Sequence, residues 1–337
     1  MSIVRKSLLI FVASLAVLFL LAAALDSGVL RVVGSPEPIK RTLADSGIYD
    51  SIIPSTLDDI DSDIASSNEV PFGNKIVVKA AEATFSGRYL QANADGVIDS
   101  VYLWLDGQGT APDFKIDLTA KKREFANLVA DGVKQHVEAL PVCVNLSTAE
   151  FDAFSAKCRP AAVSASQAAA EVRRDILNSQ EFLEDPVITA ADIKSANSDQ
   201  PFFSGQLKDA PAAYQRFKAS PLVLFIVAAV MLVGVFLLSQ SRLKGLKHVG
   251  FILAGCGIFV LLLSLAVGQT VNNKVLSQIK LDNTVLQHDL RQLVGDISQR
   301  TTNTLLAFGG VYTALGAAMS GGYYYLRRRR APKAAKR

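Results

Sequence analysis

The 337-residue chain is poor in the residues that most chemistry requires, with three histidines, three cysteines and one tryptophan. The histidines, His136, His248 and His288, stand far apart and none is paired with a nucleophile in a recognisable motif. HExxH, GxSxG and the glycine-rich phosphate loop are all missing, so zinc-protease, serine-hydrolase and nucleotide chemistry each lack their signature. Three cysteines are too few for a disulfide-stapled small scaffold. Charge is missing from four long stretches, 7–25, 221–238, 249–268 and 304–326, which contain no Asp, Glu, Lys or Arg. Intramembrane charges usually mark ion or proton paths, so a transporter acting alone is disfavoured. The reading is of a protein that is not an enzyme and needs no cofactor and no metal.

Half the residues are hydrophobic, and they fall in blocks. A helix needs roughly 20 apolar residues to cross a hydrocarbon core. Stretches 221–238 and 249–268 meet this length, and 304–326 does so with a composition rich in Gly, Ala and Tyr. Stretch 7–25 has two readings, a cleaved signal peptide ending near Ala22-Ala23-Ala24 or an uncleaved anchor. The anchor is favoured because the run is long for a signal peptide.

Positive charge gathers beside these stretches. Arg5 and Lys6 precede the first, Arg242, Lys244 and Lys247 join the second to the third, and Arg327, Arg328, Arg329 and Arg330 follow the fourth. With Lys333, Lys336 and Arg337 they make 12 positive charges, and no acidic residue lies in those three pieces. Lys and Arg near membrane segments stay on the cytoplasmic side, so four crossings put all of them there. Residues 26–220 hold 28 acidic and 19 basic residues, which suits the opposite face.

The expected organisation is therefore a cytoplasmic N-terminus (1–6), a first span (7–25), and a large extracytoplasmic domain (26–220). A second span (221–238), a cytoplasmic loop (239–248) and a third span (249–268) follow. An extracytoplasmic amphipathic segment (269–303), a fourth span (304–326) and a basic tail (327–337) complete it. The expected location is the plasma membrane, multi-pass, with both termini cytoplasmic and the large domain outside. The tail abuts a span and reads as a topology anchor touching anionic lipid, so nucleic acid is not an expected partner.

Cys143 and Cys158 lie in the outer domain and are expected to form a disulfide, as the oxidising side of a membrane favours. A zinc site would need two further ligands, and no His or further Cys lies in that stretch. Cys256, inside the third span, reads as a small packing residue. Asn145-Leu146-Ser147 fits a glycosylation acceptor, a pattern common by chance. Gly310, Ala314, Ala318 and Gly322 recur every four residues in the fourth span and read as a helix-packing face.

Within the outer domain, helical spacing predicts Pro38–Ile53 up to a turn at Ser46-Gly47, and Lys75–Leu105 with a break near Gly96. Leu30–Pro38 reads as a linker and Phe114–Leu118 as a short strand. Thr119 is read as the cap of a helix to about Leu140, and another helix runs from about Ala162 to Phe182. Asp185–Phe203 reads as irregular, and Pro211–Lys218 as a helix leading into the second span. The fold class is mainly α: a four-helix transmembrane bundle plus a mostly helical extracytoplasmic domain with at most one or two short strands.

Several landmarks carry a resemblance: Ser46-Gly47-Ile48-Tyr49-Asp50, Val101-Tyr102-Leu103-Trp104-Leu105-Asp106-Gly107, Pro112-Asp113-Phe114-Lys115-Ile116-Asp117-Leu118, and Leu140-Pro141-Val142-Cys143 with Cys158-Arg159-Pro160. With these the outer domain resembles a set of uncharacterised bacterial membrane proteins. The resemblance implies an envelope location and transfers no activity.

The leading functional expectation is a non-enzymatic envelope protein whose outer domain binds a partner or has a structural role. Its partners are the lipid bilayer and either another envelope protein or a second copy of the chain. The alternative is a subunit of a transport or lipoprotein-handling complex, similar in layout to ABC-system permease subunits. That rests on topology alone, and loop 239–248 offers an ATPase little surface. A ligand sensor without its own output domain comes third.

Overall fold

The computed structural model describes residues 3–63, 71–143, 151–179, 182–195, 198–271, 275–278 and 283–330. The glycosylation pattern at 145–147 and the tail beyond residue 330 lie outside them, as do the side chains of Arg329 and Arg330. The chain divides into two units. A bundle unit comprises 1–42, 209–280 and 291–337, and a second unit comprises 43–208 with 281–290. Helix accounts for 78% of the structure, so the mainly-α expectation holds.

Four helices in the bundle are long and apolar enough to cross a membrane: α1 (Ile3–Val33), α8 (Ala210–Leu238), α9 (Arg242–Thr270) and α11 (Thr284–Arg330). The chain is thus a multi-pass membrane protein in its architecture. α8, at 29 residues, is about 44 Å long at a rise of about 1.5 Å per residue, more than a ~30 Å hydrocarbon core requires. Its outer faces are apolar: Leu222, Ile226, Val230, Val233 and Leu237 are all exposed. Such a surface marks contact with lipid or with another apolar surface. Leu20, Ala24, Ala228, Val235, Leu253, Val260, Leu305 and Tyr312 fill the space between the helices. α1 continues to Val33, so the stretch read as a linker from Leu30 is reduced to Gly34-Ser35 before α2 (Pro36–Asp45). The amphipathic stretch 284–303 is the first part of α11, continuous with the fourth span.

The second unit is built around α4 (Lys75–Thr84), α6 (Thr119–Ala139) and α7 (Ala165–Asn178). On α6, Phe125, Val129, Val133 and Val137 recur every four residues and are wholly buried. Ala168, Val172 and Ile176 make a matching ridge on α7, and interdigitated four-residue ridges are the commonest way for helices to pack. α7 begins at a capping box in which Ser164 and Gln167 bond reciprocally, later than the expected Ala162. It ends at Asn178, short of Phe182.

The expected break at Gly96 does not occur. α4 ends where the Phe85 N–H closes on the Ala81 carbonyl, and α5 (Gly87–Leu105) runs through Gly96 without interruption. Thr119 is not a cap but the first helical residue of α6, and its N–H donates to Asp117 Oδ1 at 2.9 Å. The region 185–203, read as irregular, supplies β2 (Val187–Thr189), which pairs antiparallel with β1 (Lys115–Asp117). It also forms a second small ribbon of β3 (Lys194–Ser195) and β4 (Ser198–Pro201). β1 falls within Phe114–Leu118, the stretch read as a short strand, whereas β2, β3 and β4 were not read from the sequence.

Cys143 and Cys158 are disulfide-bonded, with Cα atoms 5.3 Å apart and a sequence separation of 15. Backbone bonds from Cys143 N to Arg159 O and from Arg159 N to Pro141 O flank the link. Replacing both cysteines by serine should lower stability by about 3 kcal/mol, from the loop entropy returned to the unfolded chain. Chemical denaturation followed at Trp104, the single tryptophan, measures it.

Candidate functional site

Among the basic residues singled out in the sequence, those whose side chains are described come together at one end of the bundle. The Arg5 guanidinium donates to the carbonyls of Leu238 (2.7 Å) and Ser239 (3.1 Å), the last unpaired acceptors of α8. Lys247 lies over the rings of Phe251 (5.5 Å) and Tyr323 (5.8 Å). The start of α1, the α8–α9 corner and the last turns of α11 therefore share that end.

The helix-packing face expected at Gly310, Ala314, Ala318 and Gly322 is displaced. The first three are exposed, and a Cβ at Gly310 or Gly322 would meet nothing within 4 Å. Close approach runs instead through Gly309 and Gly316 of α11 against Gly257 and Gly250 of α9. A Cβ at Gly257 would lie 2.8 Å from the Gly309 carbonyl oxygen, and one at Gly316 2.6 Å from that of Gly250. A legible sign was available: on both helices the paired glycines are seven residues apart, two helical turns.

Among the described residues, no three His, Cys, Asp or Glu side chains converge as a metal would require. What the second unit does contain is an apolar cavity of about 520 Å³. α5 supplies its longest wall: Tyr89, Leu90, Asn93, Ala94, Val97 and Ile98, a stripe at helical spacing. Ile48, Tyr49 and Ile52 of α3 (Ile48–Asp63) face it. Ile116 and Ile188 close one side; they are register partners in the β1–β2 ribbon, so their side chains stand on the same face.

Local sequence positions these walls. Gly47, at φ +77°, turns the chain between α2 and α3, a backbone conformation that glycine adopts without penalty. The Asp50 N–H of α3 would be only 3.3 Å from a Cβ at Gly87, so a glycine there lets α3 meet the start of α5. The ribbon is pinned by Asp192, whose Oδ2 accepts from the Thr189 hydroxyl (2.6 Å) and N–H (2.7 Å). Those bonds hold the Asp192 carboxyl below its usual range, and bonds from Thr119 do the same for Asp117.

Two polar groups in this region are shielded from water without a hydrogen-bond partner among the described residues, the Tyr49 hydroxyl and Asp95 Oδ1. Burial, and secondly the nearby Asp95 charge, push the Tyr49 phenol above its usual value, so it stays protonated and able to donate. Lys121 sits over the Tyr89 ring at 4.8 Å and pairs with Glu124 at 2.7 Å. The cavity thus has a long apolar wall with Tyr49, Tyr89 and Asn93 as its polar members, and Lys121 stands outside its lining. Ile48, Tyr49 and Ile116 fall within landmark segments of the sequence, but no catalytic or binding motif marks them, which is why the site was not legible beforehand.

No family model, no curated protein and no solved structure matches this chain.

Proposed function

We propose that the chain is an integral protein of a bacterial cell envelope that displays a non-catalytic binding unit on the outer face of the plasma membrane. The observation that carries this reading is the 520 Å³ apolar cavity of the second unit. Small-molecule sites are typically concavities of roughly 300–1,000 Å³, mostly apolar with a few fixed polar groups. The lining of Tyr49, Asn93 and Tyr89 among aliphatic side chains has that character. A predominantly apolar ligand with one hydrogen-bonding group is the class it accepts.

Charge and redox chemistry support the orientation. The cationic end of the bundle suits the cytoplasmic side, and the Cys143–Cys158 disulfide suits an oxidising compartment.

Substituting Ala94→Trp tests the binding reading by filling the cavity from its α5 wall. Small molecules extracted from full-length protein, purified in mild detergent, are compared by mass spectrometry between wild type and variant. The expected result is an apolar compound that accompanies the wild type and falls at least tenfold in the variant, with thermal stability kept. Equal recovery from both proteins, or hydrolytic activity lost on mutating acidic residues of the second unit, contradicts it.

A further inference from the structure

The bundle unit is almost without negative charge. Residues 1–25, 210–281 and 297–337 contain no Asp or Glu, so its clustered cations have no counter-ion of their own at that end. A buried or half-buried cation needs an opposite charge or strong acceptors. Arg5 obtains them from the two carbonyls of the α8 C-terminus, and Lys247 from the faces of two aromatic rings. Lys6 is exposed and forms no ion pair among the described residues. Lys244, also exposed, reaches the Gln240 amide oxygen at 3.3 Å and no other side chain among the described residues.

Both lysines line one cavity of about 240 Å³, shared with His248, Ser239 and Gln240. Leu9 and Ile10 of α1 complete its wall with apolar surface. His248 Nδ1 lies 2.6 Å from the Lys244 carbonyl and, since a carbonyl only accepts, donates to it, which fixes the ring in the cavity wall. The start of α9, with its partial positive charge, adds to the same field.

We propose that this cavity binds the phosphate of an anionic phospholipid, with Lys6 and Lys244 as its cationic partners and an acyl chain lying against Leu9 and Ile10. The chemistry recognised is a phosphate joined to a hydrocarbon chain. The apolar wall and the position at the end of a membrane bundle favour a lipid over free phosphate. Basic pockets between spanning helices are known to take such headgroups. The site lies wholly in the bundle unit and does not depend on the outer cavity being a binding site.

Native mass spectrometry of the full-length protein in non-ionic detergent, titrated with phosphatidylglycerol or phosphatidylcholine, tests it. Wild type should prefer phosphatidylglycerol by about 30-fold, as two cations near a headgroup would give. The double variant Lys6→Gln/Lys244→Gln should lose that preference, and Leu9→Trp should weaken both lipids by occupying the cavity. Arg327→Gln/Arg328→Gln should keep the preference. The proposal fails if the first double variant behaves as wild type, or if only the tail variant loses selectivity. Displacement of phosphatidylglycerol by millimolar inorganic phosphate, with phosphate itself retained, would make this a soluble-anion site and overturn the lipid assignment.

Discussion

Phe125→Ala should destabilise the second unit by about 3–5 kcal/mol, the range for emptying a buried aromatic position. Phe125 has no exposed surface and its ring lies 4.8 Å from that of Phe182 and 6.5 Å from that of Phe85. Removing it strips the α6 ridge of its largest member and leaves Phe182 and Phe85 facing a void. Single domains are stable by only about 5–15 kcal/mol, so a third or more of the total is at stake. Urea unfolding of the full-length protein, read by Trp104 fluorescence, measures the loss. Leu128→Ala, three residues on at an exposed position, should change stability by less than about 1 kcal/mol. Similar losses for the two variants would mean that the α4–α6–α7 core is not the unit's main source of stability.

Gly316→Val should open the contact between α9 and α11. At Gly316 a Cβ would meet backbone on the facing helix, 2.6 Å from the Gly250 carbonyl oxygen and 2.7 Å from the Ala254 Cα. Backbone cannot swing aside as a side chain can, so the helices must separate. Overpacking a well-packed site costs about 1–3 kcal/mol and occasionally more, and two helices forced apart place this variant at the upper end. Cys256, the buried free thiol beside Gly257, supplies the readout. Its labelling by a small maleimide should be at least tenfold faster in Gly316→Val than in wild type. Gly310→Val, where nothing lies within 4 Å, should label as wild type does. The reverse ranking would restore the packing face first read from Gly310, Ala314, Ala318 and Gly322.

Those two faces differ by one residue, and in a helix one residue is a rotation of about 100°. Composition alone reveals that the fourth span is rich in small residues, but not which of them meets a neighbour. That needs the position of α9, a long-range fact. The spans themselves were legible because their signal is local: long uncharged runs bounded by cations. The Cys143–Cys158 link was legible from the residues available to pair.

Breaks and ribbons were less legible. Gly96 reads as a helix breaker because glycine costs about 1 kcal/mol in a helix interior. Packing of the α5 stripe around it outweighs that, and the real break falls at Phe85-Ser86, where the Ser86-Gly87 pair is the local signal that was passed over. β2 was hidden because Val187–Thr189 acquires its strand character by pairing with β1, some 70 residues earlier in the chain. The cavity was hidden for the same reason. Its walls come from α3, α5 and a ribbon, and each apolar stripe read alone looks like ordinary core.

Sidedness is the claim on which the functional account rests, and thiol labelling in intact cells tests it most directly. Cells expressing the full chain with Cys256→Ala and a reporter cysteine at Ala334 are treated with a membrane-impermeant maleimide, before and after an impermeant reductant. The account predicts that Cys143 and Cys158 resist labelling until reduction and then react, while the Ala334→Cys reporter reacts only after the cells are lysed. Labelling of the tail reporter in intact cells, with Cys143 and Cys158 protected throughout, would place the second unit in the cytoplasm and contradict the account.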